Sequence, residues 1–214
     1  MYYKTSGKGK VVVLIHGFVE DGTMWQGAAK ALSKDYKVIV PDLEGFGKSE
    51  LEVAKSKISM EYYAHEIYLM LKKEKVKECI LLGHSMGGYV ALHFAEKHPS
   101  LLKGIGLINS HCYADSAEKK AGRKKTSEHI AKHGTKVFVR ELYGKLFHAS
   151  FKKKNTRLVN DFISKAEKYS AEALIAANNA MMKRTDKSKV LEKSKVPVLL
   201  ISGKEDETVP LEYS

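Results

Sequence analysis

The chain has 214 residues, enough for one sizeable core and too few for two full domains. Its apolar fraction of 43%, with 11 Tyr, 7 Phe and one Trp, is ordinary for a folded protein, and no apolar run is long enough to span a bilayer. The formal net charge of +12 is concentrated in residues 119–157, which hold thirteen Lys or Arg against two Glu; without an aromatic-interleaved basic motif this reads as a solvated helical face rather than a nucleic-acid site.

The first residues, "MYYKTSGKGK", carry no apolar signal-peptide core and lead straight into "VVVLI" at 11–15. Cys79 and Cys112 are too few for a disulfide framework or a metal site. A reducing cytoplasm is therefore the expected location. Further β-branched runs follow: "KVIV" at 37–40, "CILL" at 79–82, the weaker "GIGLI" at 104–108 and "PVLLI" at 197–201. None alternates with polar residues, which predicts strands buried on both faces, as in a parallel sheet covered by helices. Helical patterns lie between them. Trp25, Ala28, Ala29 and Leu32 share one face, as do Tyr63, Ile67, Met70 and Leu71. A third helix starts after Ser85 and is closed by Pro99. Strand–helix alternation of this kind predicts an α/β fold, a mostly parallel central sheet flanked by helices.

The alternation stops between residues 110 and 195, where the pattern is helical over roughly 115–133, 135–148, 155–168 and 170–183. The division expected is a core of residues 1–110 and 195–214 and an all-helical insertion, 111–194, over the carboxyl ends of the strands. Its Leu146, Phe147, Met181 and Met182 are candidate walls of a substrate pocket.

The chemistry is concentrated in "CILLGHSMGG", residues 79–88: an apolar strand, G-x-S-x-G, then a helix. A nucleophile on a tight strand-to-helix turn needs small neighbours, because the chain is strained and closely approached there. Gly83, Gly87 and Gly88 meet that need around Ser85. "LIHGF" at 14–18 ends the first apolar run with a glycine that lets the chain turn. The backbone N–H groups of Phe18 and Met86 are the expected oxyanion donors, since a tetrahedral intermediate needs two fixed donors. "PDLEGFGKS" at 41–49 supplies a second turn beside the first.

In this order and spacing, "HGF", "DLEGFGKS", "GHSMGG" and "GKEDETVP" resemble the α/β-hydrolase superfamily. The likeness is greatest to small bacterial esterase-like serine hydrolases with a helical lid, and it covers essentially the whole chain. It implies that Ser85 is the nucleophile, that Asp206 is the triad acid and that Phe18 and Met86 are the oxyanion donors. Glu205 and Glu207 flank Asp206, and the G-x-x-D spacing from Gly203 favours Asp206; Asp115 is the other acid to consider. The implied activity is cleavage of a small ester or related acyl compound, with no metal or organic cofactor. Acyl transfer, carbon–carbon hydrolysis and a non-catalytic binding role for the basic lid are the alternatives.

The resemblance also calls for a histidine after the acid, and "ETVPLEYS" contains none. The expectation is a truncated enzyme that lacks its last strand, last helix and catalytic His. His16 and His84 read as loop-packing residues, His93 and His98 as facing away, and His65, His129, His133 and His148 as remote. His111 is the best surrogate, leaving its strand beside Ser85 and expected to line the pocket.

Overall fold

The computed structural model describes residues 1–206 and 208–213. Six strands form one sheet: β1 (Tyr3–Ser6), β2 (Val11–Ile15), β3 (Lys37–Pro41), β4 (Cys79–His84), β5 (Leu102–Ile108) and β6 (Val198–Ile201). Their spatial order is β1-β3-β2-β4-β5-β6. All neighbours are parallel except β1, which runs antiparallel to β3. The predicted α/β class is therefore the observed one, and the five predicted strands are all present. β1 is the strand that pattern reading omits. Its sequence, YKTS, is polar and mostly exposed, so it offers neither an apolar run nor an alternation.

Successive residues of β2 point to opposite faces, and each face is buried. Val13 and Ile15 join the main core with α2 (Met60–Lys73) and α3 (Met86–Lys97). Val12 and Leu14 pack with Trp25, Val38 and Val40 on the face of α1 (Gln26–Leu32). The predicted inward stripe of α2 is buried in full at Tyr63, Ile67, Met70 and Leu71. Ser59 caps that helix by accepting from the Tyr62 amide at 3.0 Å.

β6 departs from the expectation of two buried faces. Val198, Leu199, Leu200 and Ile201 are 39%, 46%, 48% and 48% exposed. Among the described residues β6 stands at the sheet edge and pairs with β5 alone, so an apolar run by itself does not report burial.

Between β5 and β6 the chain is helical: α4 (Ala117–Leu146), α5 (Ala149–Lys154), α6 (Thr156–Ala166), α7 (Ala171–Lys183) and α8 (Ser188–Glu192). Gly134, at φ 81°, breaks α4 into two pieces where the sequence pattern changes phase. Ser116 and Ser170 cap α4 and α7 by accepting from Lys119 and Ala173 amides, each at 3.1 Å. Ile130, Phe138, Val139 and Tyr143 of α4 and Leu174, Ala177 and Met181 of α7 join the main core, so these helices sit on the body of the protein.

A paired substitution tests this ranking of burial. Leu81 is fully enclosed, and Leu81→Ala should cost about 2–5 kcal/mol in urea denaturation. Leu200→Ala, on the exposed edge strand, should cost less than about 1 kcal/mol in the same measurement.

Candidate active site

β2 leads to β3 on one side, whereas β4 returns to its other side. The carboxyl ends of β2 and β4 thus flank a switch point, the place where open α/β sheets form a crevice. Two loops meet there, 16–20 after β2 and the turn at Ser85 after β4.

Ser85 has φ 48° and ψ −115°, a left-handed conformation for a residue with a Cβ, and its side chain makes no cap hydrogen bond to α3. The turn is held from outside. The Ser85 amide donates to Ile108 O at 2.9 Å, and its carbonyl accepts from Ser110 Oγ at 2.8 Å. Glycine is mandatory around it. A Cβ on Gly83 would lie 2.2 Å from Gly87 O, and one on Gly87 would lie 2.5 Å from Ile15 O. Helix α3 therefore approaches β2 and β4 at backbone contact, with Met86 fully buried at its first position.

The loop after β2 is as tightly fixed. Buried His16 donates from Nδ1 to Gly17 O at 2.8 Å and accepts the Leu43 amide on Nε2 at 2.9 Å. Burial holds this imidazole below its ordinary pKa, consistent with the neutral tautomer both bonds require. Val19 takes φ 57° and its carbonyl accepts from Tyr143 Oη at 2.9 Å. Phe18 packs between Phe46 and Phe138.

Glu20 ties the two loops together. Its Oε2 accepts the Gly17 amide at 2.7 Å and His84 Nδ1 at 2.9 Å. Burial alone would raise the Glu20 carboxyl, but His84 and the Gly17 N–H bring it below the usual carboxylate range. Burial alone would lower His84, and the Glu20 charge instead raises it. Pattern reading passes over Glu20. Its only signal is an acid close behind the His16–Gly17 turn.

Asp206 follows β6. Its Oδ1 accepts the amides of Thr208 and Val209 at 2.8 and 2.9 Å, which fixes the carboxylate on its own turn. Asn109, at φ 45°, accepts the Gly203 amide at 3.0 Å and so links this loop to the end of β5. Glu205 is 69% exposed and faces away, 3.2 Å from His148 Nε2. Glu207 lies outside the described residues. Asp115 is enclosed and held by two guanidiniums, Arg123 Nε and Arg184 Nη2, the latter at 2.8 Å. Its ion pairs are thus with guanidiniums rather than with an imidazole near Ser85.

Ser85 opens onto two chambers of about 290 and 780 Å³. Glu20, His84, Leu146, Thr208 and Val209 border both. The smaller is walled by Met24, Tyr143, Phe147, Phe162 and Asp206, the larger by Phe18, Met181 and the first turns of α4. Leu146, Phe147 and Met181 thus stand at the cavity, whereas Met182 and His111 are absent from both linings. His111 is turned the other way. Its Nδ1 accepts the Tyr113 amide at 3.2 Å, and its Nε2 lies 3.2 Å from Tyr89 Oη and 3.5 Å from Arg184 Nη2. Among the described residues no histidine hydrogen-bonds Ser85 Oγ. Tyr143 and Phe162 are walls that the sequence pattern does not separate from ordinary core residues.

Among the described residues no group of three His, Cys, Asp or Glu is placed to hold a metal ion, and no helix is long and apolar enough to cross a membrane.

A family model described as alpha/beta hydrolase fold matches residues 10–214. A solved structure of a thermophilic esterase from Thermogutta terrifontis, with malate bound, superposes with a TM-score of 0.93 at 30% identity, covering 99% of this chain and 78% of that one. The pimeloyl-[acyl-carrier protein] methyl ester esterase of Aeromonas hydrophila is 37% identical over 108 residues, 50% of this chain and 41% of that protein. A putative carbamate hydrolase of Serratia proteamaculans is 26% identical over 220 residues, spanning 100% of this chain and 81% of that protein. The chain spans less than half the length of the first curated relatives it matches.

Two titrations check the electrostatics. In Glu20→Gln the His84 pKa, read from imidazole NMR shifts, should fall from above the ordinary histidine value, because burial is then opposed only by Asp206. The second concerns His111, which burial and Arg184 push down to about 4. It stays neutral in the fold while the unfolded chain takes up a proton below about 6.5. Its contribution is complete above that value and is lost as pH falls toward 4, on the order of 3 kcal/mol in all. His111→Gln should flatten that acid limb in urea denaturation at stepped pH.

Proposed function

The chain belongs to the α/β-hydrolase-fold family, and from that premise we propose that it is a serine hydrolase cleaving a small ester or related acyl compound through an acyl-enzyme on Ser85. The observation that carries this reading is Ser85 itself. It occupies a strained turn immediately before the first residue of α3, its side chain is not consumed as a helix cap, and it opens onto both chambers. Strain of this kind is retained where the surroundings over-determine it, and here the strained residue lines the cavity.

In the proposed reaction Ser85 Oγ attacks the substrate carbonyl and the negative charge moves to its oxygen. The amides of Met86 and Phe18 receive that charge, aided by the N-terminal field of α3. The alcohol leaves with a proton, and water then releases the acyl group by the reverse sequence. Asp206 orients the imidazole that carries the proton; its carboxylate is fixed by the Thr208 and Val209 amides before any imidazole arrives. His111 is not that imidazole in this reading, because both of its nitrogens are engaged away from Ser85. The helical segment 111–194 is the lid, whose Tyr143, Leu146, Phe147 and Phe162 form the apolar wall over the nucleophile. A cytoplasmic site of action remains part of the proposal.

The test is hydrolysis of p-nitrophenyl butyrate with Ser85 mapped by a fluorophosphonate probe. Residues 1–214 alone should accelerate the reaction by no more than roughly 10³–10⁴ over water, the level left by binding and the oxyanion donors. Added imidazole should raise the part of the rate that Ser85→Ala abolishes. Fast turnover lost in His111→Ala would reassign the base, and absence of label on Ser85 even with imidazole added would remove the acyl-enzyme.

A further inference from the structure

The larger chamber carries an unbalanced positive charge on one wall. Lys119 lies in the first turn of α4 and is half-buried, with Nζ donating to Thr208 O at 3.3 Å. Among the described residues no carboxylate stands within ion-pair distance of that Nζ. Behind it, Arg123 and Arg184 share the single enclosed carboxylate of Asp115. Three cations therefore stand against two acids, Asp115 and Asp206, and burial together with Arg123 lowers the Lys119 pKa while both carboxylates oppose the shift. The other charges facing this chamber cancel. Glu20 is matched by His84, and at the rim exposed Glu118 is offset by exposed Lys125.

The smaller chamber has the opposite character. Its walls are Met24, Tyr143, Leu146, Phe147 and Phe162, and its one unmatched charge is Asp206. An anion entering there would meet a carboxylate, whereas one entering the larger chamber meets Lys119. A half-buried cation gains most from a partner that brings both charge and acceptor oxygens, because charge-assisted hydrogen bonds outweigh neutral ones where water is scarce.

We propose that Lys119 is a specificity-determining residue and that the substrate is an ester with a carboxylate on the half that occupies the larger chamber. Lys119 takes that carboxylate, with Arg123 reinforcing the field from behind, while the uncharged half lies on the apolar wall of the smaller chamber. This deepens the serine-hydrolase reading and rests on it for the identification of the bound group as an ester. The anion site itself does not depend on Ser85 chemistry.

The experiment uses glutarate as a non-reactive probe, with inorganic phosphate as a separate arm, in calorimetric titration of the whole chain. Glutarate should bind, more weakly as salt rises, and the affinity should fall about tenfold or more in Lys119→Met. Lys132→Met, an exposed lysine of α4 away from both chambers, should bind as the unsubstituted chain does. Melting temperatures of both variants establish that each is folded. No glutarate binding, equal binding by Lys119→Met, or binding of phosphate in place of glutarate overturns the proposal. Repeating the titration on Ser85→Ala keeps the two readings apart. Lys119-dependent binding without fluorophosphonate labelling of Ser85 leaves the anion site standing and removes the acyl-enzyme. Labelling of Ser85 without Lys119-dependent binding does the reverse.

Discussion

The backbone of α3 runs in contact with the ends of β2 and β4, and the rest of the site depends on that approach. Side chains at positions 83, 87 or 88 would each occupy space already filled by main chain or by Ser110. With glycine there, the helix closes on the sheet and the connecting residue, Ser85, is forced to positive φ. The same contact brings the Ile15 and His16 carbonyls against the first turn of α3, so the loop after β2 is fixed relative to Ser85. One steric constraint thus sets the nucleophile candidate, the helix N-terminus and the start of the loop after β2 in a single relation. Ser110 and Ile108, at the end of β5, hold the turn from the third side.

Charge then refines what packing has placed. His16 is neutral and bridges Gly17 to Leu43, while His84 is drawn toward its charged form by Glu20. Two histidines from similar-looking motifs are thereby pushed in opposite directions by burial and by one carboxylate. Glu20 holds Gly17 on one loop and His84 on the other, so removing its charge would loosen the very relation that the glycines impose. Asp115 illustrates the converse. It is enclosed, yet its ion pairs go to two guanidiniums, and it serves to hold α4 and the chain after α7 together.

The strands and helices of the core were legible because their signals are local. Runs such as VVVLI and CILL, the stripe of α2 and the break at Gly134 each state their structure within a few residues. Ser85 was legible for the same reason, since its strain is written in adjacent glycines. Position at the sheet edge is not local, and so PVLLI announced a strand but not its exposure. Nor was Glu20 legible, because its partners come from Gly17 and from His84, 64 residues on. His111 reads as a pocket residue by its place after β5, and the direction of its ring is decided by Tyr89 and Tyr113 instead.

The basic segment joins these scales. Its thirteen cations look alike in sequence, and most of them are exposed, as a solvated face requires. Capping by Ser116 and the turn geometry of α4 sort them by angle. Lys119 and Arg123 lie four residues apart on one face and turn inward to the larger chamber, while Lys120 and Lys124 face solvent. An overall charge therefore says little about partners until helix phase has been fixed. Once it is fixed, a small part of that charge is seen to line the chamber onto which Ser85 opens, so any influence of the basic segment there rests on two side chains rather than on net charge.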